Sequence, residues 1–152
     1  VDTTASPLRA ERVGWERLLV VVGRGHPWFG RSELTPDELP ASRWAMRERG
    51  SGSQHLFEEC ILKLGVSAKQ LEVCLTLSSG EMQRAVVLSG EVAAALPESM
   101  VDNDIRLGMI WPVQIQGWLS CDQPIWMVHQ SRREPTPVIE AFTQMMRRPK
   151  GD

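Results

Sequence analysis

The stretch Trp44-Ala45-Met46-Arg47-Glu48-Arg49-Gly50-Ser51-Gly52-Ser53-Gln54 decides how the rest of the chain is read. Its first three residues are apolar and read as a brief strand, which the charged triplet and the Gly/Ser run then end. Beyond it, Leu56, Phe57, Cys60, Ile61 and Leu64 recur at helical spacing over 54–64, and Gly65 closes that helix. The local unit is strand, glycine-serine loop, helix. Ser51 and Gln54 stand at the Ser-x-x-Gln spacing of a capping box.

The same unit recurs downstream. Leu71 to Leu77 alternates loosely and reads as a strand, and Ser78-Ser79-Gly80-Glu81 opens a second helix with Met82, Ala85 and Val86 on one face. Val92 to Pro97 is an apolar strand stopped by proline, and a short helix follows over 98–104. Met109 to Ile115 and Ile125 to His129 read as further strands, with the loop at Gln116-Gly117 between them. Thr136-Pro137 caps a last helix whose Val138, Ile139, Phe142 and Met146 are expected to face inward. Upstream, 1–15 is polar and turn-rich and reads as a lead-in loop. Arg17 to Gly23 is a β-branched run that fits a buried strand. The alternation of strands and helices implies an α/β layering with a largely parallel sheet.

In such a sheet both Ser-rich helix starts fall at the carboxyl ends of strands, where ligands collect. A helix N-terminus offers unpaired N–H groups and a partial positive charge, and glycine lets a ligand approach the backbone. Gly50, Ser51, Gly52 and Ser53, with Ser78 and Ser79, are therefore the candidate binding residues, and the ligand they suit is a small anion. Plain capping explains each start taken singly. Arg43, Arg47 and Arg49 stand just before the first start, where a guanidinium can pair with an anion or with Glu48.

Other chemistries find little support. The chain has 42% hydrophobic and 24% charged residues with a formal net charge of -2, so no basic field attracts nucleic acid. There is no Gly-x-Ser-x-Gly elbow and no third glycine after Gly23-Arg24-Gly25. His26, His55 and His129 read as structural. With Cys60, Cys74 and Cys121 they lack zinc spacing, and the cysteines read as small buried hydrophobes in a reducing compartment. No cofactor is expected. No apolar run approaches the ~18 residues of a membrane helix. The six tryptophans are scattered, and Trp118 is the one expected to be exposed for a partner. Val1 begins without an initiating Met, as expected of a chain cut from a longer one.

Taken in order, the landmarks resemble the LysR-type transcriptional regulators of bacteria. Leu18 to Val22 followed by Gly25-His26-Pro27 is similar to that family's strand and His-Pro turn. Leu34 to Leu39 resembles its next segment. Arg47-Glu48-Arg49-Gly50-Ser51-Gly52-Ser53 resembles its Arg-Glu-x-Gly-Ser-Gly-Thr loop, with Ser53 in place of Thr. Val92 to Ser99 matches its Leu-Pro-Glu-Ser strand, and Trp126 to His129 with the helix from Pro137 resembles its closing strand and helix. Gly90-Glu91-Val92 departs from the family's Gly-Leu-Gly, which puts the turn there in question.

The resemblance implies a type-2 periplasmic-binding-protein-like α/β fold, one lobe nearly complete and the second only in part. Residues 1–23 would be a remnant of the first lobe with a crossing strand, 24–103 the second effector-binding lobe, and 104–152 the return to the first lobe. It implies a cytoplasmic effector-sensing domain without enzymatic activity. A small-molecule effector would bind in an interlobe cleft and modulate DNA binding by a winged helix-turn-helix absent from this chain. The family's cleft residues map onto Gly50 to Ser53 and onto Ser78 and Ser79. A half-built lobe would leave apolar surface that favours a homo-oligomer. Two alternatives share the bilobal scaffold: a dehydratase of small carboxylic acids, for which Glu48 and Glu81 are the nearest acids, and a solute-binding protein.

Overall fold

A computed structural model describes residues 7–130 and 134–147. The chain divides into two compact units, one of residues 16–123 and one of residues 1–15 with 124–152.

The central unit is built on a sheet. Its strands are the C-terminal part of β1 (Leu8–Gly23), β2 (Arg43–Arg47), β3 (Glu72–Leu77), β4 (Ala93–Pro97) and β5 (Ile110–Pro112), in the order β3-β2-β4-β1-β5. Strand β2 pairs in parallel with β3 and with β4, whereas β1 runs antiparallel to both β4 and β5. The sheet is thus mixed rather than largely parallel, because β1 runs against its neighbours. Val20 and Val22 face one side and Val21 the other, so both faces are buried and the strand reads as one continuous apolar run.

Helix α1 (Gly52–Lys63) covers the first face. Its Phe57 and Ile61 pack with Leu18, Val20, Trp44 and Met46. Helices α2 (Gly80–Leu88) and α3 (Glu98–Arg106) cover the other, where Val87 and Val101 meet Val21, Ala45 and Leu96. The buried residues of α2 are Gly80, Gln83 and Val87; of the expected Met82, Ala85 and Val86, only Val86 packs against this core, and the other two are exposed. The displaced face has a polar cause: buried Gln83 donates from Nε2 to the Ala45 carbonyl at 2.9 Å, which aims that side of the helix at the sheet.

Two turns carry the packing of the sheet ends. Gly90 has φ of +89° and lies so near Gly25 that an added Cβ would sit 2.9 Å from the Gly25 nitrogen. Val92, whose side chain stands where the resemblance expects a second glycine, is buried with Val21, Ala45 and Leu96, so the turn accommodates it. His26 is buried behind the turn; its Nδ1 accepts the Trp28 N–H at 3.1 Å and its Nε2 lies 2.7 Å from the Ser42 hydroxyl. An accepting Nδ1 puts the ring proton on Nε2, so this is a neutral structural histidine.

Two expectations about side chains are corrected. Cys60 and Cys121 are joined in a disulfide and only Cys74 is free, so the first two are not simply small hydrophobes. Sequence separation hid the pair. Trp118 is half-buried with its ring 6.4 Å from Phe57, and the exposed tryptophans are Trp15 and Trp126.

In the second unit, residues 8–15 belong to β1 and not to a loop, while 1–6 of the expected lead-in lie outside the described residues. Strand β6 (Asp122–Gln130) pairs with β1, and helix α4 (Pro137–Arg147) is tied to it by a bidentate Arg147–Glu11 pair at 2.6 and 2.7 Å. The expected inward face of α4 is not buried: Val138 is 78% and Phe142 56% exposed. The apolar periodicity is present, but among the described residues nothing buries that face.

Candidate functional site

The carboxyl ends of β2 and β3 are neighbours because Arg47 aligns with Leu77 in the parallel register. The Glu48 N–H donates to the Leu77 carbonyl at 3.1 Å and extends that pairing by one residue. Both Ser-bearing loops therefore leave the same edge of the sheet, one toward α1 on one face and the other toward α2 on the opposite face. The connection through α1 runs outward from β2 to β3, and the connection through α2 returns from β3 across the opposite face to β4. This is the switch-point geometry at which open α/β sheets leave a crevice.

Ser51 caps α1, its Oγ accepting from the Gln54 N–H at 3.4 Å and lying 3.0 Å from the Ser53 hydroxyl. The reciprocal half of a capping box does not form. Gln54 instead accepts the Arg47 N–H at 3.0 Å and donates to Glu58 at 2.9 Å, which fastens the end of β2 to the first turn of α1. At α2 the cap is Ser79, which accepts from the Met82 N–H at 3.2 Å, so the Ser78–Glu81 box read from the sequence is displaced by one residue. Ser78 turns its hydroxyl to the Met82 sulfur.

Arg47 bridges the two loops. Its guanidinium is bidentate to Glu48 at 2.9 and 3.1 Å, and Nη2 donates to the Ser78 carbonyl at 3.3 Å. The hydrogen-bonded guanidinium holds the Glu48 carboxyl below the usual carboxylate range, and Glu48 in turn raises Arg47. Arg47 is thus neutralised and acts as a strut. Arg49 is exposed with no ion-pair partner among the described residues. Arg43 sits at the other end of β2, within 3.8 Å of Glu72 and 3.9 Å of Glu91, and does not join the others.

A concavity of about 830 Å³ opens beside Arg49, Gly50, Ser51 and Gly52 and runs along α1 past His55, Glu58, Glu59 and Leu62 to Ser67 and Lys69. Ser53, Ser78 and Ser79 do not line it. Its cationic end lies at the loop and at Lys69, with carboxylates along the helix between them. Sequence reasoning missed Gln54 as a tie and the helix-side residues of the concavity. The tie depends on how α1 sits on β2, which no spacing reveals. The i, i+4 pair His55–Glu59, 3.4 Å apart, marked the exposed side of the helix. Among the described residues no group of acidic, histidine or cysteine side chains could hold a metal ion, and no helix is long and apolar enough to cross a membrane.

The profile of the family described as LysR substrate binding domain matches residues 2–149. The transcriptional regulator CysL of Bacillus subtilis is 23% identical over 145 residues, covering 95% of this chain and 47% of its own length. The chain spans about half the length of the curated relatives it matches. Among solved structures, the CcmR regulatory domain of Synechocystis PCC6803 in complex with 2-PG has a TM-score of 0.76 at 17% identity, over 97% of this chain and 69% of that one. The bromide-bound regulatory domain of HypT from Salmonella typhimurium has a TM-score of 0.69 at 19% identity, over 93% and 64%. Both are regulatory domains of the periplasmic-binding-protein-like fold, as expected from the sequence. With the profile spanning nearly all its residues, this chain belongs to the LysR substrate-binding-domain family, the effector-binding part of LysR-type regulators.

Proposed function

We propose that this chain senses a small anion at the Gly50–Ser53 and Ser78–Ser79 loops. The observation that carries the reading is the meeting of two serine-capped helix starts at adjacent carboxyl ends of parallel strands, strutted by Arg47. Each start presents N–H groups and the positive end of a helix dipole, and Arg49 supplies an unpaired charge beside them. The bromide ion held by the HypT domain and the 2-PG held by the CcmR domain make a small charged ligand a natural class for this fold. In this reading residues 24–103 form the effector-binding lobe, and the whole regulator is a cytoplasmic homo-oligomer that meets DNA through a segment outside this chain. Glu48 is held by Arg47 in a bidentate pair, so the reading gives it no acid or base role.

Calorimetric titration with sulfate, against chloride at matched ionic strength, tests the site. Ser51→Ala and Ser79→Ala should each weaken sulfate by about fivefold or more, the equivalent of roughly 1 kcal/mol for a hydrogen bond to a charged group. Ser78→Ala should weaken it as well. Unchanged affinity in all three variants removes the site.

A further inference from the structure

We propose that Cys60 and Cys121 form a reversible thiol–disulfide exchange site, with a low-molecular-weight thiol such as glutathione as the reactant, and that its state governs the mobility of residues 116–121. The inference is independent of the anion reading. The two cysteines are 61 residues apart in sequence, one in the third turn of α1 and the other immediately before β6. Cys121 is also held to β1, its carbonyl accepting the Leu18 N–H at 2.8 Å. The bond therefore fastens the last stretch of the central unit, before the chain leaves it, onto the helix that bears Ser51.

Two features make both redox states tenable. The Cys121 sulfur lies 3.8 Å from the Leu56 carbonyl, so a reduced thiol there has an acceptor in place. The bond is also guarded by a weakly held segment. Residues 116, 117, 119 and 120 are exposed, with Leu119 at 97%; the stretch is held at its start by the Gln116 N–H donating to the Leu34 carbonyl at 2.8 Å and beyond that by the half-buried Trp118 against Phe57. Such a segment opens at low cost. Cys60 keeps 9% exposure against 1% for Cys121, so Cys60 is the more accessible residue of the pair and is assigned the first attack.

The exchange then balances. A glutathione thiolate attacks the Cys60 sulfur, the S–S bond breaks, and its electron pair leaves on the Cys121 sulfur, which takes a proton. A second glutathione thiolate attacks the glutathione sulfur of the mixed disulfide, releasing the Cys60 thiolate and glutathione disulfide. Oxidation is the same sequence reversed. Cys74 has no cysteine partner and stays out of the cycle.

The test equilibrates the intact chain in glutathione buffers of graded ratio, alkylates free thiols and reads each cysteine by peptide mass spectrometry, with hydrogen exchange on parallel samples. Cys60 and Cys121 should pass together from blocked to alkylated while Cys74 is alkylated throughout. Amide exchange over 116–121 should quicken by roughly tenfold or more on reduction, with strands β2 and β4 unchanged. A Cys60→Ser, Cys121→Ser double variant with native circular dichroism should exchange quickly in every buffer. Three results would each overturn the proposal: both cysteines alkylated in the most oxidising buffer, a bond that survives the most reducing one, or exchange over 116–121 that ignores the redox state.

Discussion

Three glycine variants separate the conformational and steric parts of the contact that joins the end of α2 to the end of β1. At Gly90 an alanine meets both. Its φ of +89° is left-handed, costing a side chain about 1–2 kcal/mol, and its Cβ falls 2.9 Å from the Gly25 nitrogen and 3.0 Å from the Gly25 Cα. Those are backbone atoms that cannot swing aside, and overpacking adds about 1–3 kcal/mol. Gly30 shares the left-handed backbone with a φ of +80° but has nothing within 4 Å, so alanine there incurs only the first cost. A small gain from stiffening the unfolded chain offsets part of it. Gly23 has no such φ, yet its Cβ would lie 2.1 Å from the Val87 carbonyl oxygen, so its cost is steric alone. Urea denaturation should give losses of about 2–5 kcal/mol for Gly90→Ala and about 3 kcal/mol for Gly23→Ala, but about 1 kcal/mol for Gly30→Ala. Against a total of roughly 5–15 kcal/mol, the first two compromise the native state. Gly90→Ala matching Gly30→Ala to within about 0.5 kcal/mol would show that the backbones do not meet, and the argument for how α2 is seated would fail.

Further outcomes concern pH and the α2–α3 contact. Burial lowers the pKa of His26, so the unfolded chain takes up the proton first. Stability should be full above the ordinary histidine value of about 6.5 and fall as pH drops below it, levelling once the folded value is passed; His26→Gln should lack that slope in unfolding measured across pH. Asp104 is held below the usual carboxylate range by the bidentate Arg84 guanidinium at 2.6 and 2.7 Å. Its contribution should be complete above the ordinary aspartate value near 3.9 and be lost as pH falls through the depressed one. Arg84→Ala should cost about 1–3 kcal/mol at neutral pH and nothing further in strong acid, where the carboxyl is protonated; an equal loss at both pH values speaks against the pair.

The periodic parts of the chain were legible without coordinates. The apolar run Leu18 to Val22, between Arg17 and Gly23, read as a buried strand, and the Leu56, Phe57, Cys60, Ile61 spacing read as a helix with one apolar side. The turn at Gly50-Ser51 was legible too, since glycine and serine between a strand and a helix admit little else, although α1 starts at Gly52 and not at Gln54. Strand direction was not: β1 runs antiparallel to β4 because of where the chain returns, and side-chain periodicity is the same either way. Nor was the cap of α2, because Ser78 and Ser79 are chemically alike and only the turn of the backbone chooses between them. The apolar stripe of α4 shows the same limit from the other side, since a pattern states that a face needs cover but not whether this chain supplies it. Sequence by itself determined which residues seek burial and which backbones bend, because those are properties of single residues and their spacing. Tertiary structure alone decided that Cys60 meets Cys121, that Gln54 ties β2 to α1, and that Arg47 spans two loops, because each depends on where distant segments come to rest.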